Sequence, residues 1–390
     1  MFDHDIVVVG AGMVGAATAL AMARAGWRVA LLEKQPLLAE TPRGDDIDPR
    51  VSAISPASAG LLHTLGAWSM LDPTRINDIR RMRVWHEHGS SELDLKAEQV
   101  GAPRLGYMVE NIHLQSALLK ALRNQASVRL VTGVSLSAIE QNADSVSVVT
   151  DCGQRITAAL LVAADGRGSA VRRMLNMGQH SGDYQQRAIV AHVRTERPHQ
   201  SIAWQRFLST GPLAFLPLWD GRSSIVWSAD NPLADELESL ADDAFRQQIE
   251  RAFESRLGQV VETTARASFP LHWHSARRWL AGRALLIGDA AHGVHPLAGQ
   301  GVNLGFGDVD ALAQYLADSR QPYQYLALRR FERQRKAETA TATQLFTALK
   351  HVFSIRDPWF CRARDIGMGL IDRRNAVKSG LISKALRNLA

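Results

Sequence analysis

Three clusters of glycine and carboxylate carry residue types and spacings that could do chemistry. The first, Gly10-Ala11-Gly12-Met13-Val14-Gly15, suits a dinucleotide. Gly10 permits a tight turn, Gly12 lets the backbone approach a pyrophosphate, and Gly15 lets a helix pack closely on a strand. Glu33 follows Gly10 by 23 residues, where a carboxylate can accept bonds from both adenosine ribose hydroxyls and disfavours a 2′-phosphate. Asp165-Gly166 and Gly288-Asp289 each follow an apolar run, and the second sets a carboxylate where it can accept a polyol hydroxyl. The Gly299-Gln300-Gly301 turn then aims a second helix N-terminus outward. Its partial positive charge would stabilise the anion that a reduced flavin carries.

These clusters need elements to position them. Ile6-Val7-Val8-Val9 reads as a strand buried on both faces, followed by an alanine-rich helix to about Ala25 and a strand from Val29 to Leu32. Leu160 to Ala164 and Ala284 to Ile287 are further buried strands leading into the two carboxylate turns. Ile6 to Ala23 is an uncharged run of 18 residues, but Asp3 and Asp5 precede it and glycines interrupt it. It therefore reads as strand, turn and helix, with no targeting or spanning segment expected.

The chain has 390 residues, enough for two or three domains, and is 46% hydrophobic. That excludes a disordered tail protein or a disulfide scaffold. Cys152 and Cys361 stand far apart, which fits a reducing, cytoplasmic setting. The net charge of +6 is uneven: from Arg329 to Ala390 there are 14 basic and 5 acidic residues. The remaining body is slightly acidic, so no nucleic-acid partner is expected. His86-x-His88 and His272-x-His274 have same-face strand spacing but lack a convincing third ligand, so no metal is expected.

With all three clusters in this order, the sequence resembles the FAD-dependent aromatic-ring monooxygenases related to p-hydroxybenzoate hydroxylase. Within them it is most similar to the ubiquinone-biosynthesis hydroxylases. Asp48-Pro49-Arg50-Val51-Ser52-Ala53-Ile54-Ser55 carries their Arg-x-x-Ala-(Ile/Leu)-Ser element, and Gly288 to Asn303 matches almost without a break. Leu105-Gly106-Tyr107-Met108-Val109-Glu110-Asn111 leans toward the 3-demethoxyubiquinol hydroxylase branch. The resemblance implies an α/β fold, a Rossmann-like FAD-binding domain of glutathione-reductase type interleaved with a mainly antiparallel substrate sheet, plus C-terminal helices. The expected division is 1–75, 104–178 and 277–328 for FAD, 76–103 and 179–276 for substrate, and 329–390 as a basic helical segment.

It further implies FAD held by Gly10, Gly12, Met13, Val14, Gly15, Glu33, Lys34, Arg50, Asp165, Gly166, Arg172, Gly288, Asp289, Pro296, Gly299, Gly301 and Asn303. O2 and NAD(P)H, or another electron donor, would be co-substrates, and a flavin C4a-hydroperoxide would hydroxylate the ring of a polyprenylated quinol. His292 and Gln300 could contact flavin or substrate, although His292 could equally be a structural hydrogen-bonding residue. No catalytic residue is assigned. Trp85, Trp204, Phe215, Trp219 and Trp227 are candidates to line the pocket, with core packing as the alternative.

Between the carboxylate turns, strands are expected at 82–95, 188–194, 203–208, 213–218 and 223–227, and one helical stretch at 234–253. Leu381, Ile382, Ala385, Leu386 and Leu389 would form the apolar side of a terminal helix, with Lys378, Lys384 and Arg387 on other faces. Such a helix suits peripheral contact with the inner face of the cytoplasmic membrane, or with partner proteins of a biosynthetic complex. A homo-oligomer is compatible with the sequence. The alternatives are hydroxylation at another ring position, a different FAD-linked oxidoreductase of prenyl-reductase type, or a flavin-binding assembly subunit. A flavin halogenase is disfavoured, because its Trp-x-Trp-x-Ile-Pro element is missing.

Overall fold

The computed structural model describes all residues except 1–2, 37–46, 294–300, 318, 320, 356 and 389–390; the side chains of 346, 350 and 384–388 are also outside the description. A six-stranded sheet carries the nucleotide end. Its centre is Ile6–Val9, paired in parallel with Val29–Glu33 on one side and Leu160–Ala163 on the other. Ala284–Leu286 and Val128–Thr132 extend it in parallel, and Leu280–Ala281 closes one edge antiparallel. The strands Ile6–Val9, Leu160–Ala163 and Ala284–Leu286 are apolar throughout because they are buried, and Val146, Val148 and Ile156 of a separate three-stranded sheet join the helices in their core. Met13–Arg24 packs on one side, and Gly26, at φ +90°, ends that helix.

The substrate sheet has nine strands. Gln179–Thr195 is a single strand of 17 residues, longer than the expected 188–194, because its first half pairs with 272–276 of the strand Ala267–Ala276. Ile202–Leu208, Gly211–Pro217 and Ser223–Asp230 follow as an antiparallel run. Arg81–His86 joins in parallel, and Glu92–Lys96 forms the edge. The stretch expected as one helix is two, Asn231–Ser239 and Asp242–Ala252, because the chain is extended at Leu240 and Ala241.

A three-stranded sheet of Val51–Ile54, Gly106–Glu110 and Asn77–Ile79 joins the two halves. Its Ala53, Ile79 and Met108 pack against Ala203, Ala214 and Leu216 of the substrate sheet.

The tail consists of helices Tyr325–Ser354, Pro358–Arg373 and Asn375–Asn388. The first begins ahead of residue 329 and buries Leu328 and Phe331 in the nucleotide core, so a boundary at 329 would cut a packed helix. Lys378 also departs from expectation. It is buried and donates to Asp372 Oδ1 at 2.9 Å and to the Asp94 carbonyl, while Ile382 is buried and Leu381 is exposed.

Candidate functional site

The glycine turn after Val9 and the three carboxylate-bearing turns at Glu33, Asp165 and Asp289 leave the same end of the parallel sheet, where ligands bind in such sheets. Gly10 ends the central strand at φ +99°, and a Cβ there would lie 2.5 Å from the Ala164 carbonyl oxygen. A Cβ on Gly15 would lie 1.8 Å from the Gly10 carbonyl oxygen, so both glycines are required by the fold itself. Gly12 differs: a Cβ there meets nothing within 4 Å. No side chain caps the helix that starts after it, so the first-turn N–H groups face that open space.

Glu33 Oε2 accepts from the Ala11 N–H at 2.6 Å, and Oε1 accepts from the Gln35 N–H. Lys34 beside it is exposed. Gln115, missed in the sequence, donates to the Ala11 carbonyl at 3.0 Å. It comes from the helix Asn111–Arg123, and only the tertiary contact reveals it.

Asp165 Oδ2 accepts from the Ala170 and Val171 N–H groups, while Oδ1 is buried without a protein partner among the described residues. Gly166 turns at φ +77°, with open space where a Cβ would stand. Asp289 is exposed at the tip of its turn, and no hydrogen bond of its carboxylate appears among the described residues.

Several residues expected to touch the cofactor also brace the turns around it. Arg172 is buried, with Nη1 on the Ala290 carbonyl and Nη2 on the Arg167 carbonyl, both at 2.6 Å, so it ties one carboxylate turn to the other. Asn303 spends its amide on the Ala53 carbonyl (2.7 Å) and the Ser55 N–H (3.0 Å). Its backbone N–H lies in the first turn of Gly301–Ala317, where such groups can face an anion. Val14 is wedged under Gly288 and Gly305, where added Cβ atoms would lie 3.1 and 2.5 Å from its methyl groups. Met13 packs against the nucleotide core. Gly301 has open space at its Cβ position, while Pro296, Gly299 and Gln300 lie outside the described residues.

His292 is a brace as well. It is 2% exposed, stacks on Trp279 with ring centroids 5.0 Å apart, and donates from Nε2 to Asp308 Oδ2 at 2.7 Å. Asp308 also accepts from the Gly288 N–H (2.8 Å) and from Arg335 Nε (2.7 Å). Burial alone would raise its pKa, but His292 and Arg335 outweigh that and hold the carboxyl below the ordinary 3.8. His274, from one of the histidine pairs, bonds through Nε2 to the Asp289 carbonyl at 2.8 Å, and burial lowers its pKa.

The segment around Arg50 is clamped from below. Glu110 accepts from Arg75 Nε at 2.9 Å and from the Asp48 N–H at 2.8 Å. Asn111 Oδ1 accepts from Ser52 Oγ, and a Cβ on Gly106 would lie 2.8 Å from the Ile54 carbonyl oxygen. The 105–111 element thus holds Asp48–Ser55 in place and leaves Arg50 exposed.

The aromatic candidates divide. Trp85, Trp204, Phe215 and Trp227 all face the outer side of the substrate sheet, packed with Phe245, Ile249 and Phe253. Strand alternation gives the opposite, nucleotide-side face to Ala203, Gln205, Ala214, Leu216, Ser224 and Val226. Trp219 lies in a turn with the Arg75 guanidinium 4.7 Å over its ring, at the seam between the halves.

The open space at Gly12 and Gly166, the uncapped helix, the unpartnered Asp165 Oδ1 and the exposed Asp289 fit a long nucleotide carrying phosphates and a polyol. They define a flavoprotein of the FAD-binding class. The family described as an FAD binding domain matches residues 3–344.

The chain is 36% identical over 389 residues to 3-demethoxyubiquinol 3-hydroxylase of Escherichia coli (strain K12), covering 98% of both chains. It is 35% identical to ubiquinone hydroxylase UbiL of Rhodospirillum rubrum, over 99% of this chain and 90% of that one. The crystal structure of p-nitrophenol 4-monooxygenase PnpA from Pseudomonas putida DLL-E4 shares the fold, with TM-score 0.78 at 20% identity over 98% of both chains. The chain belongs to the ubiquinone-biosynthesis hydroxylase family of FAD-dependent monooxygenases.

Bound FAD supplies the redox chemistry by which one atom of O2 enters an aromatic ring. The first turns after Gly12 and Gly301 would face its anionic groups, and Glu33, Asp165 and Asp289 its hydroxyls.

Proposed function

We propose that the protein hydroxylates the ring of a polyprenylated benzoquinol, 3-demethoxyubiquinol (2-polyprenyl-3-methyl-6-methoxy-1,4-benzoquinol), with O2 and NAD(P)H or another donor as co-substrates. The observation that carries this is the 36% identity, spread over 98% of both chains, to the hydroxylase of that substrate. The quinol is electron-rich through its own hydroxyls, so a strong protein base is unnecessary. In this reading the cofactor is gripped by Gly10, Gly12, Gly15, Glu33, Asp165, Gly166, Gly288 and Asp289, with Arg50 and Lys34 at its exposed edge. Arg172, His292 and Asn303 act on it through the turns they brace.

A second reading, hydroxylation at another ring position of the same pathway, stands beside it because the chain is nearly as similar, at 35% identity, to a ubiquinone hydroxylase whose name specifies no ring position. The test is turnover of the purified holoenzyme under ¹⁸O2 with short-chain demethoxyquinol, followed by mass spectrometry. One ¹⁸O at the ring's single vacant carbon supports the first reading; no label there, with one ¹⁸O entering a short-chain prenylphenol that lacks the earlier hydroxyls, supports the second. Donor oxidation without label in any product rejects both and leaves an oxidase or reductase. A polyprenyl tail partitions into a bilayer, so the enzyme must approach the membrane peripherally or receive its substrate from a partner. Among the described residues, no helix is long and apolar enough to cross a membrane.

A further inference from the structure

The helix Pro358–Arg373 has two contrasting faces. Its inward face carries Cys361, Arg364 and Met368, all buried. Met368 packs with Phe207, Phe353, Val84 and Leu93 against the substrate sheet. Arg364 Nη2 meets His86 Nδ1 at 3.2 Å. Both acidic residues of the helix are spent on the sheet's edge strand region. Asp365 accepts from the Ser91 N–H at 2.6 Å, and Asp372 from the Asp94 N–H at 3.0 Å. Covering an edge in this way protects it from pairing with other chains.

The outward face is apolar and uncovered. Trp359, Ala363, Ile366 and Leu370 recur at i, i+4, i+7 and i+11, one stripe of a helix. Trp359 is 82% exposed, Ile366 58% and Leu370 52%. Val377 and Leu381 of the next helix are exposed as well. Arg362 and Arg373 flank the stripe and Arg374 follows it, all exposed, with no ion-pair partner among the described residues. Asp357, exposed just before the helix, caps it through the Phe360 N–H at 3.0 Å, and Glu98 is exposed beside the following helix.

An apolar stripe led by an exposed tryptophan and bordered by exposed arginines is complementary to an anionic lipid surface, where the ring sits at the headgroup level and the arginines meet phosphates. We propose that the outward face of Pro358–Arg373, continued by Val377 and Leu381, docks on an anionic bilayer and sets the substrate sheet against it. This deepens the proposed quinol chemistry, on which its biological sense rests. The docking itself is tested independently.

The test is flotation of the full-length holoenzyme with phosphatidylglycerol/phosphatidylcholine vesicles and with phosphatidylcholine alone. The variants are Trp359→Ser/Ile366→Ser/Leu370→Ser and Arg362→Ser/Arg373→Ser/Arg374→Ser; bound-flavin absorbance confirms that each is folded. The expected result is flotation of the parent with anionic vesicles only, loss in the apolar triple variant, and a fall in partitioning of about fivefold per arginine removed. Failure of the parent to float at low salt, or equal flotation of the triple variants, would overturn the proposal. So would a parent dimer that the apolar variant converts to monomer, because a second copy then covers the face. Short-chain quinol turnover separates the two ideas. If it persists without flotation, only docking falls; if it is absent while flotation holds, only the quinol reading falls.

Discussion

His292 donates to Asp308 across 2.7 Å in an environment where Asp308 is fully buried. The same carboxylate takes the Gly288 N–H and the Arg335 Nε–H. The turn that presents Asp289 is therefore fixed from behind by a charge pair that solvent does not reach. Removing one partner of a buried pair strands the other, which costs about 3–5 kcal/mol. Asp308→Asn should lower stability by that order, and Asp289→Ala should leave it within about 0.5 kcal/mol because the carboxylate is exposed. Both should lose FAD affinity. Urea unfolding of the apoprotein beside FAD titration separates the two. Equal stability of Asp308→Asn and the parent would refute the bracing role.

The glycines of the first turn should separate in the same way. Gly12→Ala meets no protein atom within 4 Å, so the apoprotein should keep its Tm while FAD binding falls at least tenfold, about 1.4 kcal/mol. Gly15→Ala drives a methyl into the Gly10 carbonyl, and the chain should fail to accumulate as folded protein. A Gly12→Ala variant that binds FAD like the parent would show that the open space is not the cofactor's.

Much of this arrangement was visible in the sequence because it is local. The glycines, the β-branched strand and Glu33 lie within one strand–helix–strand unit, and each has a backbone reason to be there. The bracing was hidden because Asp308, Arg335, Gln115 and Asn303 act across gaps of 20 to 250 residues, which no periodicity encodes. The aromatic residues offered two readings, pocket lining or core packing, because strand alternation carries no sign for which face meets the nucleotide domain. Trp85, Trp204, Phe215 and Trp227 accordingly went to the outer core. The tail boundary was misplaced because basic composition begins inside a helix whose first turns are packed.

Acid should loosen the site through its histidines. Burial lowers the pKa of His192 and of His274 from the ordinary 6.5. Below that value the unfolded chain takes up protons that the folded one refuses, so stability falls with pH by at most about 1.4 kcal/mol per unit per histidine, until each folded pKa is passed. Asp308 contributes nothing to this window; its depressed carboxyl keeps its stabilisation until the pH falls below 3.8. Between pH 7.5 and 5.5 the urea midpoint should drop, and FAD retention with it. His274→Gln keeps a donor for the Asp289 carbonyl without the titration, so its midpoint should depend less on pH. An unchanged slope would assign the effect elsewhere.

The two faces of the substrate sheet should answer to different measurements. Trp227 is buried in the outer core, and Trp227→Ala should cost about 3–5 kcal/mol through the cavity it leaves. Its KM should stay unchanged, because the indole is on the far side from the nucleotide. Ser224 lies on the near face, in register with His192, whose Nε2 reaches the Asp48 carbonyl at 3.0 Å. Its hydroxyl is fully buried without a protein partner among the described residues. Ser224→Ala therefore loses no internal hydrogen bond and should be neutral or slightly stabilising. If the hydroxyl serves the quinol, the KM for a short-chain substrate should rise severalfold at constant stability. A stability loss above about 1 kcal/mol with unchanged KM would instead make Ser224 part of the sheet's own packing.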